Sequence, residues 1–393
     1  TTVSPAYDTA EAAETWAAAG RDSGFPAPGQ KIGEDSRRPV HNTEEYRYYP
    51  ENPFMSVADA PLSTFGADVD TASYANIRRM ILDGDRVPED AVRIEEMLNY
   101  FYYDYPKPKE GEPFSVTARL AQCPWNDKHD LLQIGLQAEK LDEGTMPKSN
   151  LVFLLDVSGS MEAPDKLDLV KRAFLMMTEY LKSDDTISIV TYASDDRIVL
   201  DGAAGEDRLS IMTAIENLSA GGSTHGSRGI ETAYQLAEKH YIEGGNNRVI
   251  LATDGDLNVG ITSEGGLTRL IKDQKDRGVF LSVLGFGTGN LKDNKMEAMA
   301  DNGNGQYSYV DSIAEARKVL VEEMGGTLFT VAKDVKFQVE FNPARIKGYR
   351  LIGYENRVMA DQDFEDDTKD GGEIGAGHRV TVLYELIPAD SRE

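Results

Sequence analysis

Cysteine is almost absent from this chain of 393 residues. Cys123 stands alone, so no intrachain disulfide can form and no thiolate cluster can hold a metal. That scarcity does not fix the compartment, because many cell-envelope proteins also lack disulfides. Basic residues are outnumbered: 41 Lys and Arg stand against 67 Asp and Glu, a formal net charge of −26. Nucleic acid and anionic membrane surfaces both need basic patches, so the balance argues against either as a partner. It suits cations, or a partner rich in basic groups. No apolar run approaches the roughly 20 residues of a membrane span. The initiating methionine is missing at Thr1, which suggests that a leader was removed or the chain trimmed.

What is present is length enough for two or three domains with a large core. Residues 1 to about 50 read as a tail. "AEAAETWAAAG" can form one short helix, but "FPAPGQ" and "EDSRRPVHN" are turn and linker chemistry. Residues 51–110 read as an N-terminal helical region. It opens on the strand-like "LSTFGADV", and Asp70 or Thr71 is placed to cap a helix through Ile77, Met80 and Ile81. A second helix, in "VPEDAVRIEEMLNYFYYDYP", sets Val92, Met97 and Phe101 on an apolar face with Glu95 and Glu96 outside.

"FSVTARLAQCPW" and "DLLQIGLQAEKL" alternate polar and apolar residues, as half-buried antiparallel strands do. The alternation returns in "KDVKFQVEFNP" and "HRVTVLYELIP". Two such strands on each side of a different middle predict an antiparallel β-sandwich, residues 111–148 plus 331–393, interrupted by an inserted domain. The insert, residues 149–330, alternates apolar strands ("NLVFLLDV", "TISIVTYA", "RVILATDG", "VFLSVLGFG", "QYSYV") with amphipathic helices. One helix carries Leu167, Val170, Phe174, Met177 and Leu181 at spacings of three and four. Another carries Ile230, Ala233, Tyr234 and Ala237, and the last runs from about Ser312 to Phe329. The pattern is that of an α/β fold with a doubly wound, mostly parallel sheet. Ligands of such sheets sit beyond the carboxyl ends of the strands.

At one of those ends the run "LVFLLDVSGSMEAP" passes from five apolar residues to Asp156, Ser158 and Ser160 at alternate positions. "SAGGSTHGSRGI" places Thr224 after a glycine pair, and "LATDGDLNVG" puts Asp254 at the end of another buried strand. Asp156, Ser158, Ser160, Thr224 and Asp254 can therefore converge on one edge. The set is all oxygen, which suits a hard cation: Mg²⁺, with Mn²⁺ or Ca²⁺ as substitutes. Serine and aspartate also serve as helix caps and strand-end turns. The coincidence of three separated motifs favours the metal. If the hydroxyls bind directly, the ion keeps much of its charge and leaves a position open to a partner's carboxylate.

"DVSGS", "GGST" and "TDGD", in that order on an α/β chain, resemble the metal-ion-dependent adhesion site of von Willebrand factor A domains, over roughly 180 residues. The flanking "FGADVDTASYANIRRMI", "VRIEEMLNYFYYDYP" and "RIKGYRLIGYENR" are similar to bacterial A-domain proteins of the YfbK type. That resemblance implies a Rossmann-like A domain, a further domain on each side of it, and a C-terminal domain that normally continues past Glu393. It also implies a bacterial periplasmic or cell-surface setting, with a lipid anchor on a leader preceding Thr1. The expected function is non-enzymatic: metal-dependent adhesion to a protein partner that offers an Asp or Glu carboxylate. Two alternatives stand beside it, a Mg²⁺-dependent hydrolase and a subunit of an intracellular chaperone-linked assembly. The hydrolase reading needs a second acid two residues after the strand-end aspartate, where Ser158 stands.

Other candidates read more plainly. Asp68 and Asp70 suit helix capping better than a second metal. Asp361 to Glu373 fails the EF-hand register, with Asp366 in the glycine place and Gly372 in the closing-glutamate place. "GFGTGNLKDN" resembles a phosphate loop in glycine content alone. His225 is a rim residue without a nucleophile–acid arrangement around it, Met176 and Met177 are core, and Cys123 is a small buried apolar residue.

Overall fold

The computed structural model describes residues 43–393 apart from 68–69, 142–143, 145, 223–227, 256–263, 324–328, 367–368, 370 and 393. The expected tail up to residue 42, and Asp68, Thr224 and His225, lie outside the described residues. In chain order the strands are β1 (Met55–Ser56), β2 (Leu62–Gly66), β3 (Phe114–Gln122), β4 (Asp130–Ala138), β5 (Ser149–Asp156), β6 (Thr186–Tyr192), β7 (Asp196–Ala204) and β8 (Asn246–Thr253). They continue as β9 (Val279–Phe286), β10 (Tyr307–Val310), β11 (Thr330–Glu340), β12 (Ile346–Ile352), β13 (Val358–Met359), β14 (Gly372–Gly375) and β15 (Arg379–Pro388).

The central sheet runs β10-β9-β8-β5-β6-β7. Its pairs are parallel except for β7, which turns back antiparallel on β6. All eight residues of β5 are buried, so the strand reads as a continuous apolar run rather than an alternation. Leu151, Phe153 and Leu155 face one core, with Val170, Phe174 and Met177 of the helix Leu167–Thr178 and Ile211 and Ile215 of the helix Arg208–Glu216. Val152 and Leu154 face the other, with Ile230, Ala233 and Tyr234 of Gly229–Lys239 and Met296 and Met299 of Asp293–Asn302. The sheet is therefore covered on both faces, an α/β fold. The last helix is described over residues 313–322, and residues 324–328 of the expected span lie outside the described residues. Ser312 caps it, accepting from the Glu315 N–H at 3.2 Å; Ile313–Arg317 then widens into a π turn at Lys318–Glu322.

Among the described residues two antiparallel sheets stand beside the central one, β1-β12-β15-β4-β3 and β13-β2-β11-β14. Strands from before and after the α/β layer pair directly, β4 with β15 from Asp130↔Leu386 to Gln137↔Arg379. The two sheets share one core. Phe65 of β2 stacks on Phe337 of β11 at 5.1 Å between centroids and meets the edge of Tyr384 of β15 at 6.4 Å. Ile134 and Leu136 of β4 and Val380 and Val382 of β15 fill the space around them. Residues 51–110 are thus not a helical region alone: β1 and β2 each join one of the antiparallel sheets.

Two local readings of that segment are reversed. Glu95 and Glu96 are 1% and 2% exposed, whereas Val92 and Ile94 are 43% and 39% exposed. The acids face inward because backbone donors await them there. Glu96 accepts from the Ser73 N–H at 2.7 Å, in the first turn of the helix Ala72–Asp83, where the chain's own carbonyls cannot reach. Glu95 accepts from the N–H of Tyr354, a non-glycine residue at φ 61°. Arg93 balances their charge and also bonds Glu297 on the α/β layer. Thr71 stands at the helix start without a side-chain cap bond, and Asp70 instead accepts from the Tyr307 N–H of β10 at 2.9 Å.

Phe65→Ala removes a fully buried ring shared by both antiparallel sheets, and should lower stability by about 3–5 kcal/mol in a denaturant titration. A loss under about 1 kcal/mol would mean that β2 is not part of that core.

Candidate metal centre

β5 leads to β6 on one side and, later in the chain, β8 pairs on its other side. The carboxyl end of β5 is therefore the point where the strand order reverses, the usual crevice of such sheets. Asp156 is its last residue and has no exposure. Three donors hold its carboxylate. The Ser158 N–H donates to Oδ1 at 2.9 Å, and the hydroxyls of Tyr192 and Thr253 donate to Oδ2 at 3.1 and 3.2 Å. Burial pushes the Asp156 carboxyl up to about 6, and neighbouring Asp254 adds to the rise, although the hydrogen bonds oppose it.

The chain then makes a short turn, Gly159–Glu162, which brings the Ser158 and Ser160 hydroxyl oxygens within 2.9 Å of each other. The loop ahead of Thr224 lies against this turn. Gly159 N–H donates to the Gly222 carbonyl at 3.1 Å, and Gly221 N–H to the Val157 carbonyl at 2.9 Å. A Cβ on Gly159 would stand only 3.1 Å from that Gly222 oxygen, so glycine permits the close approach. Asp254 follows β8 directly and is also without exposure. Burial pushes its carboxyl up. The Lys166 charge and hydrogen bonds with Asn290, Lys166 and Ser160 outweigh this and hold it below the ordinary carboxylate range. Lys166 Nζ donates to Asp254 Oδ2 and to Asn290 Oδ1, each at 2.9 Å.

Four of the five residues singled out by sequence, Asp156, Ser158, Ser160 and Asp254, thus belong to one hydrogen-bonded cluster built from two strand ends. Thr224 lies outside the described residues. Among the described residues no group of three or more His, Cys, Asp or Glu is placed to hold a metal. An ion here would therefore depend on serine hydroxyls as well as the two carboxylates. That donor chemistry fits a hard cation and does not fit a soft one. Sequence reasoning passed over Lys166, Asn290, Tyr192 and Thr253. Thr253 carries the one local signal, a hydroxyl residue directly before Asp254 at the end of an apolar strand.

Comparison with known proteins bears on this geometry. Residues 150–322 match the family described as von Willebrand factor type A domain. Residues 326–393 match the C-terminal region of YfbK, and residues 40–133 match a von Willebrand factor family. "Uncharacterized protein YfbK" of Escherichia coli (strain K12) is 46% identical over 351 residues, 88% of this chain and 61% of that protein. The chain belongs to the YfbK-like family of von Willebrand factor type A domain proteins. It spans about three fifths of the length of that YfbK relative. The A domain is also similar to inter-alpha-trypsin inhibitor heavy chain H3 of Homo sapiens, 31% identical over 198 residues, 47% of this chain and 22% of that protein. Among solved structures, the von Willebrand factor type A protein from Catenulispora acidiphila is 17% identical with a TM-score of 0.43, covering 73% of this chain and 66% of its own.

The raised Asp156 carboxyl has a consequence for the A domain. A carboxyl whose folded value lies above its unfolded value of 3.8 stabilises the native state when protonated, and that contribution is lost as pH rises to about 6. In the presence of a chelator, Asp156→Asn should be near neutral at pH 4 and stabilising by about 1–3 kcal/mol at pH 8. Denaturant titrations at the two pH values measure the difference; equal effects at both would contradict the burial cost assigned to Asp156.

Proposed function

We propose that the carboxyl edge of the A-domain sheet is a metal-ion-dependent adhesion site. Asp156, Ser158, Ser160, Thr224 and Asp254 would hold one divalent cation, Mg²⁺ with Mn²⁺ or Ca²⁺ as substitutes. The partner would be a protein that presents an Asp or Glu carboxylate. The observation that carries the reading is the pair of serine hydroxyls 2.9 Å apart beside two buried carboxylates from separate strand ends. A bound cation supplies an electrophilic position for the partner's carboxylate.

The residues of this chain do the rest. Ser158 and Ser160 contribute neutral oxygens, which leave a cation's charge undiminished. Asp156, pinned by Ser158, Tyr192 and Thr253, has one orientation available and presents a fixed charge. The turn Gly159–Glu162 keeps the serines at the edge of the sheet, with Ser160 half-buried and so within reach of solvent. Binding rather than hydrolysis is favoured by Ser158, which stands where a phosphatase-like centre would need its second acid. Neither of two cavities, of about 1140 and 360 Å³, is lined by the described members of the cluster. The larger lies near Ser149 and Leu151, at the other end of β5.

The antiparallel sheets, formed by strands from both sides of the A domain, support reading that domain as an insert in a β-sandwich. We assign the protein to the periplasm or cell surface of a bacterium, where an adhesive domain meets its partners. A signal-led lipid anchor belongs to the same assignment.

Mg²⁺ at 100 times its dissociation constant should stabilise the folded chain by about 2.7 kcal/mol. Ser158→Ala and Asp254→Ala should each remove most of that gain, read as the Mg²⁺-dependent rise in melting temperature. Partner binding that survives EDTA, or survives either substitution, would defeat the adhesion reading.

A further inference from the structure

The cluster contains a cation of its own. Lysine is seldom buried unless paired, and Lys166 is 7% exposed. It precedes the helix Leu167–Thr178, and its ammonium reaches Asp254 and Asn290, each at 2.9 Å. The path of its side chain is prepared. Gly287 has φ 72°, and a Cβ there would fall 2.3–2.8 Å from the Cγ, Cδ and Cε atoms of Lys166. Both the backbone conformation and the space exclude a side chain at that position. The Tyr309 hydroxyl fixes this loop by donating to the Gly287 carbonyl at 2.9 Å. Asn290, on the same loop, receives the ammonium's second bond. Gly255, at φ 98°, lets the loop close over the end of β8, since a Cβ there would lie 2.5 Å from the Lys292 nitrogen. Gly287 of "GFGTGNLKDN" thus seats a lysine stem beside an aspartate.

We infer that Lys166 is a resident counter-ion of the adhesion site, neutralising Asp254 and thereby setting how much charge a bound divalent cation retains. The inference rests on the metal reading above and deepens it. Asp156 and Asp254 together carry two negative charges, and Lys166 cancels one. With Lys166 in place the site is charged enough to attract a divalent ion and too weakly charged to neutralise it. The remaining positive charge is what a partner's carboxylate binds. Lys166 has a second consequence: Asp254 has a partner before any metal arrives, so the metal-free chain folds without an unpaired buried carboxylate at that position.

The alternative is that Lys166 only orients Asp254, and the two roles predict opposite signs. If it acts through charge, Lys166→Met should bind Mn²⁺ roughly tenfold or more tightly than the parent chain, because a cation close to the metal has been removed. It should also melt at a lower temperature in chelator and regain more stability on adding Mn²⁺. Lys166→Arg keeps the charge and should stay within about threefold of the parent. If Lys166 merely orients Asp254, Lys166→Met should bind Mn²⁺ more weakly.

Isothermal titration with Mn²⁺ alone measures the affinities, and thermal melts with and without the ion give the second readout. Unchanged or weaker binding by Lys166→Met overturns the inference while leaving the metal site standing. A parent chain that takes up no Mn²⁺ overturns both. Should Lys166→Met not fold, Asn290→Asp decides. It sets a carboxylate on the far side of the ammonium and should tighten Mn²⁺ binding severalfold; unchanged or weaker binding again overturns the inference.

Discussion

A carboxylate with no solvent around it must have its charge answered, and at the centre of this sheet two stand close together. Asp156 is answered by three donors and Asp254 by a lysine. That difference divides the pair chemically. The first is pushed toward the protonated range by burial and by its neighbour, and the second is held ionised. The surrounding design follows from keeping both in place. β5 must be central so that its end is enclosed, Tyr192 and Thr253 must come from its two neighbours β6 and β8, and the loop after β9 must bend over to meet Lys166. The fold supplies a rigid edge on which short side chains have little freedom to move.

The same logic ties the layers together. Arg93 bonds Glu297 and is balanced by Glu96, while Arg78 pairs with Asp311 and Glu315 beyond β10. Arg357 reaches Asp301 and Asp70, and Asn356 donates to Glu297 at 2.8 Å. These contacts join the N-terminal helices, the turn after β12 and one helical face of the A domain. Replacing Arg93 would leave the buried Glu96 and Glu297 without this counter-charge, which costs more than the pair itself contributes. In a chain with so large an acidic excess, these arginines stand where acids crowd.

Much of the A domain was legible in the sequence because its physics is local. Strands buried on both faces show as continuous apolar runs, and the helix through Val170, Phe174 and Met177 shows its period directly. The residues of the candidate site announced themselves through spacing, Asp156, Ser158 and Ser160 in one turn and Asp254 directly after an apolar strand. What could not be read depends on partners distant in the chain. Lys166 before an amphipathic helix looks like a solvated charge until the loop carrying Asn290 is placed beside it. Glu95 and Glu96 look like a wet helix face until Ser73 and Tyr354 present backbone N–H groups to them. β7 was hidden for another reason: an edge strand is half exposed, and its residues DRIVLDGAA lack the continuous apolar run of its neighbours.

The pairing of β4 with β15 joins residues about 250 positions apart, with the whole A domain between them. A flexible loop of that length would make the encounter slow and entropically costly. Once the α/β layer has folded, however, β4 lies just ahead of β5 while β15 is joined to that layer through β11 to β14, so the effective loop shrinks to those segments. The order of pairing is then set by the order of the chain. β3 and β4 come first in the chain, and one edge of β4 stays open until β15 is available to pair with it. During that interval the chain is most exposed to pairing with a neighbour, and the acidic excess, by mutual repulsion, keeps nascent copies apart.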